Sequence, residues 1–151
     1  MKTNSEKNGG NTGSTRNRLD TLAETLGVHI TYHHGGQPGW YNHHRKQISL
    51  RHGMSTTQEN SVLAHELGHA IHGDLGHGNP RQEARANRFA ANLLITKDEY
   101  RQAEMLYGPH PGAIAHELGV TIHLVTVWRR TWWNLNRQEE NNSAVHTMSQ
   151  Q

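Results

Sequence analysis

The sequence predicts an α+β fold in which a small three-stranded sheet, antiparallel or mixed, packs on a helical core that ends in a short helix pair. Three observations carry that reading. Apolar and polar residues alternate over 28–33, and short strand-like runs recur at 40–42 and 47–50. From residue 55 onward the apolar residues switch to helical spacing behind recognisable cap signals. Both ends, 1–17 and 136–151, are polar with too little to bury to repay ordering, so disordered tails are expected around a single domain at 18–135.

In chain order, Leu19, Leu22, Ala23 and Leu26 fall at helical spacing until Gly27 supplies a stop. Val28, Ile30 and Tyr32 then alternate with His29, Thr31 and His33, the period of a strand. Gly35-Gly36-Gln37-Pro38-Gly39 is a loop, and Trp40-Tyr41-Asn42 and Gln47-Ile48-Ser49-Leu50 read as strands about a polar turn at 43–46. An edge strand just ahead of a helix would offer an extended peptide a row of main-chain hydrogen bonds.

Ser55-Thr56-Thr57-Gln58 has the form of a capping box, which predicts a helix from Thr56 to about His72 with Gly73 ending it. Val62, Leu63, Leu67, Ala70 and Ile71 supply its expected buried side. Asn79 followed by Pro80 opens another helix, whose apolar stripe is Ala86, Phe89, Ala90, Leu93 and Leu94. Thr96 to Glu99 caps a further helix that Gly108, Pro109 and Pro111 end. Ala113–Thr121 and Val125–Trp128 read as two short helices about a glycine turn.

Composition narrows the chemistry. With 151 residues and 32% apolar content, the chain supports one modest core. No run approaches the ~18 apolar residues of a membrane span, and residues 1–17 lack the apolar segment of a signal peptide, so a soluble, cytoplasmic protein is expected. The net charge of +2 is too mild to argue for nucleic acid. Having no cysteine, the chain cannot build disulfides or thiolate metal sites; a metal would be held by His and carboxylate, a donor set that suits zinc.

Such donors are concentrated in Ala64-His65-Glu66-Leu67-Gly68-His69-Ala70, which fits HExxH. On a helix of 3.6 residues per turn, His65 and His69 lie almost above one another and can aim two imidazoles at one ion. Glu66 is rotated about 100° from His65, beside the ion rather than on it, where a carboxylate can take a proton from water. The bare pattern is weak in this chain, because with 14 His chance supplies it roughly 0.08 times.

A zinc bound this way needs a third protein ligand, with His72, Asp74, His77 and Glu83 as candidates. The extended metzincin pattern is absent, since positions 72 and 75 are His and Leu. His72 cannot easily converge with His65 and His69 from one straight helix, and Asp74 and His77 lie in a short connection that would have to fold back tightly. Glu83 heads a second helix 14 residues after His69, so antiparallel packing would deliver it to the ion in the His-His-Glu arrangement of gluzincins. The competing reading is a solvated first-turn Glu favoured by the helix dipole.

AHELGHA at 64–70 together with EARANRFAANLL at 83–94 resembles the ImmA/IrrE family of zinc metallopeptidases, which pairs HExxH with E-x-x-A-x-x-F-A-x-x-L-L. The match falls on Glu83, Ala86, Phe89, Ala90, Leu93 and Leu94, and the likeness extends over roughly residues 18–130. It implies a zincin-like helical core and one Zn2+ held by His65, His69 and Glu83, with Glu66 activating water. It also implies site-specific cleavage of a helix-turn-helix repressor of a phage, mobile element or stress regulon. With no DNA-binding or sensor domain visible, that repressor would be a separate protein. The sequence departs from the family at Ile95-Thr96, where Met-Pro is common. His110, His116, Tyr41 and Tyr107 are the candidates for stabilising the oxyanion. His116-Glu117 starts a second HExxH that Val120 leaves incomplete.

Two other classes compete with a peptidase. Residues 112–134 read like a helix-turn-helix, yet the front of the second helix offers Ile122, Leu124 and Val125 rather than base-reading Arg, Asn or Gln, so direct nucleic-acid binding is disfavoured. A catalytically silent zinc-binding interaction module would keep the ligands without using Glu66. Oligomeric state, scissile bond and activating signal leave no mark in the sequence.

Overall fold

The computed structural model describes residues 9–148. Helix α1 (Gly9–Thr25) leads into β1 (His29–His33), β2 (Gly39–Asn42) and β3 (Gln47–Arg51), and five helices follow: α2 (Thr56–His72), α3 (Pro80–Leu94), α4 (Lys97–Tyr107), α5 (Pro111–Leu118) and α6 (Ile122–Met148). The fold is α+β with a mixed sheet of order β1-β3-β2, in which β3 runs parallel to β1 and antiparallel to β2. The strand just before α2 is therefore the central one, and the free edge beside α2 belongs to β2. Ile48 and Leu50 of β3 are buried in the core, and Ser49 between them is buried among its cross-strand neighbours Thr31 and Trp40, its hydroxyl satisfied by His33 Nδ1 at 2.7 Å.

The local signals build the helices where caps predict them. Ser55 accepts from the Gln58 amide while the Gln58 side chain accepts from the Ser55 amide, and Gly73 closes α2 in the left-handed conformation at φ 65°. Asn79 caps α3 with Pro80 in its first turn. Ile95 is the buried C-cap of α3 and Thr96 the N-cap of α4, so the departure from the family pattern lies in a helix junction. One core joins Leu19 and Ala23 of α1, Ile48 and Leu50 of β3, Leu63 and Leu67 of α2, Ala90 of α3, and Val125 and Trp128 of α6.

The structure differs from expectation at both ends. Residues 9–17, expected as tail, form the opening turns of α1, where Arg16 pairs with Asp20 at 2.8 Å and also reaches Glu59 and Tyr32. Residues 136–148 continue α6 instead of trailing off; Arg137, Gln138, Glu139 and Ala144 are strong helix formers that carry no burial signal. The expected short helix pair is thus one short and one 27-residue helix. Residues 1–8 and 149–151 lie outside the described residues. Ile71, assigned to the buried side of α2, is 47% exposed near the helix end. No described helix is long and apolar enough to cross a membrane.

Candidate metal centre and active site

Two capped helices build the site. Helices α2 and α3 pack closely because Gly68 presents no side chain: a Cβ there would lie 2.9 Å from Ala86 Cα. That approach brings Glu83, in the first turn of α3, against the imidazoles of α2. His65 Nε2 and His69 Nε2 lie 3.1 Å apart, Glu83 Oε2 is 3.1 Å from the first, and Glu83 Oε1 is 3.4 Å from the second. The structure thus brings together the three residues expected as ligands.

The opposite ring nitrogens settle what these atoms offer. His65 Nδ1 donates to Asn87 Oδ1 and His69 Nδ1 to Asp74 Oδ2, each at 2.8 Å, since an amide or carboxylate oxygen can only accept. Neutral rings so tautomerised keep lone pairs on both Nε2 atoms. Two lone pairs and a carboxylate facing one another repel unless something positive lies among them. Their separations also match the edge of about 3.3 Å expected between donors at 2.0–2.1 Å around a tetrahedral zinc. The donor set therefore fits a zinc ion, and the Asn87 and Asp74 contacts are the outer partners such a site requires.

Asp74, a sequence candidate for the third ligand, stands behind His69 and is fixed in turn by the Arg85 guanidinium. His72 turns away, its Nδ1 donating to Gly68 O at 2.7 Å. His77 packs edge-on against His69 with ring centroids 5.8 Å apart and forms a second donor group with Glu66 and His69.

Glu66 is 4% exposed, and its Oε2 has no hydrogen-bond partner. Burial, with the Glu83 carboxylate adding to it, raises its pKa from 4.5 to about 8. A cation at the centre acts in the opposite sense and would favour the carboxylate. Burial also lowers the His65 pKa, helped by the neighbouring His69, which favours the neutral ring. Gly39, at the start of edge strand β2, admits Glu66 closely: a Cβ there would lie 3.3 Å from Glu66 Oε1 and 2.5 Å from a Val62 methyl. A pocket of about 440 Å³ opens over His65, Glu66 and Glu83, walled by Gly39, His77 and His123.

None of the four expected oxyanion partners lines that pocket. Tyr41 hydroxyl bonds to His43 Nδ1 at 3.1 Å, Tyr107 donates to Glu117 at 3.0 Å, and His110 and His116 are exposed on α5 and its N-cap. The imidazoles that do line it, besides the candidate ligand His65, are His77 and His123. His123 was invisible to periodicity because it sits alone in an apolar run at the head of α6; only the packing of α6 on α3 brings it there.

Residues 23–127 match the family model of the IrrE N-terminal-like domain, Peptidase_M78. The chain belongs to that family. The Peptidase_M78 match runs from within α1 to within α6 and so encloses the sheet, both site helices and His123. Membership gives the chain a metallopeptidase-type function, in agreement with the donor cluster. No curated protein matches the chain.

Proposed function

We propose that this protein is a zinc-dependent endopeptidase that cleaves one specific protein, a helix-turn-helix repressor of a phage, mobile element or stress regulon. The observation that supports zinc chemistry is the convergence of His65 Nε2, His69 Nε2 and Glu83 within 3.1–3.4 Å, with the unpartnered Glu66 carboxyl beside them. The repressor as substrate rests on the family resemblance of the two helices.

When bound by His65, His69 and Glu83, zinc supplies a Lewis acid that acidifies water and polarises a carbonyl. Glu66 would take a proton from the water that attacks the peptide carbonyl carbon and pass it to the leaving amine. Asn87 and Asp74 hold the two imidazoles in the tautomer the site needs. The free edge of β2 aligns the substrate as an added strand, and Gly39 lets that edge strand itself lie close to Glu66. His77 and His123, which line the pocket, donate to the developing oxyanion.

The test is co-expression with the repressor encoded beside the gene, followed by mass mapping of the products. One cut is expected with the wild type and none with Glu66→Gln, which retains its metal. The same cut appearing with Glu66→Gln overturns the reading.

A further inference from the structure

A second groove opens from the catalytic pocket and shares two walls with it, Asn87 and His123. It lies between α3 and α6 and measures about 460 Å³. From α3 it is lined by Ala84, Asn87 and Arg88, and from α6 by His123, Val127 and Arg130, each set at the i, i+3, i+4 or i+7 spacing of one helix face. Two guanidiniums from two helices thus line one groove in which, among the described residues, no carboxylate takes part. Elsewhere on these helices Arg85 is held by Asp74, and Arg129 by the Tyr100 hydroxyl and Pro109 O. Arg88 and Arg130 make no ion pair or hydrogen bond among the described residues. A cleft lined by one sign of charge concentrates the opposite charge, and guanidinium matches carboxylate geometry with two parallel bonds.

We infer that this groove is a substrate subsite that recognises an acidic segment of the protein to be cleaved, through Arg88 and Arg130. The inference rests on the endopeptidase reading and names what that site selects. From His123 to Arg130 is two helical turns, about 10 Å, which an extended chain covers in about three residues. The acidic side chain therefore sits about three residues from the scissile bond. Val127 and Leu135 give the groove apolar wall, which suits a peptide with mixed side chains better than a phosphate backbone.

The test is binding, in the full-length Glu66→Gln background so that nothing is cleaved. Two fluorescein-labelled decapeptides are compared by polarisation at low salt, one with a central Glu pair and its twin with Gln. The Glu peptide should bind at least ten-fold tighter. Arg88→Glu with Arg130→Glu should erase that preference, whereas Arg101→Glu, exposed on α4, should keep it. Circular dichroism checks that each exposed-site variant folds. Equal binding of the twins, binding of neither, or a preference that survives the double reversal overturns the inference. So does a 20-base-pair duplex that binds more tightly than the Glu peptide and is lost in the same double variant, which would make the face a nucleic-acid surface. Retained preference without any repressor cleavage by the wild type would instead remove the endopeptidase reading and leave the groove standing.

Discussion

The pentapeptide Ala-His-Glu-Leu-Gly occurs twice, at 64–68 and at 115–119, and the two copies have different fates. In α2 it lies mid-helix: Glu66 is buried, His65 faces Glu83, and Gly68 is pressed against Ala86. In α5 it ends a helix: Gly119 takes the left-handed cap at φ 65°, His116 and Glu117 are exposed, and Glu117 accepts a hydrogen bond from Tyr107. Five identical residues carry no chemistry by themselves. What separates the copies is the next residue, His69 or Val120, and whether a second helix closes on the glycine.

The sharpest contrast is between the two glutamates. Glu66→Gln should lower repressor cleavage by the 10²–10⁴-fold that general acid–base catalysis contributes, while zinc measured by atomic absorption stays at one per chain. Glu117→Gln should leave both cleavage and zinc unchanged. Equal losses from the two substitutions would erase the distinction between the copies.

The glycines come next. Gly68→Ala places a methyl 2.9 Å from the Ala86 backbone, so α2 and α3 must separate, at the about 1–3 kcal/mol typical of overpacking. Because Glu83 rides on α3, zinc affinity should fall with stability. Gly119→Ala meets left-handed backbone strain at φ 65°, about 1–2 kcal/mol, and should leave zinc binding intact. Urea unfolding with chelator competition measures both quantities. Wild-type zinc affinity in Gly68→Ala would mean that the helix approach does not set the site.

A smaller effect separates the partners of His65 and His69 from the solvated His116. Asn87→Ala and Asp74→Asn should each weaken zinc by the 10–100-fold usual for outer-shell partners, without removing a ligand. Chelator competition that shows no change in either variant would strip Asn87 and Asp74 of that role.

Much of this was legible locally. Caps are chemistry between a side chain and a backbone a few residues away, so Ser55, Gly73, Asn79 and Thr96 marked the helix ends directly. Glu83 was legible because its helix is capped just ahead of it and the helix pair is short-linked. Tertiary features left no such trace. The exchange of β2 and β3 in sheet order, the arrival of His123 at the pocket and the holding of His69 by Asp74 depend on how elements pack. The far end of α6 escaped because helix propensity without an apolar stripe looks like a polar tail.

The finest test completes the second motif. Val120→His supplies the final histidine that His116-Glu117-Leu118-Gly119 lacks, and so gives the second copy the full HExxH spelling. Helical spacing would demand that positions 116 and 120 share one helix face, but Gly119 reverses the backbone between them and the Val120 amide bonds back to Ala115 O at 3.0 Å. Among the described residues no carboxylate on a facing helix plays the part of Glu83 there; Glu117 is already engaged by Tyr107. The variant should lose about 1–3 kcal/mol for burying an imidazole where Val120 now packs. Its zinc content should remain at one per chain, all of it lost on adding Glu83→Ala. A second zinc in Val120→His would show that spelling alone suffices, and that the α2–α3 contact is not what makes the first copy a metal centre.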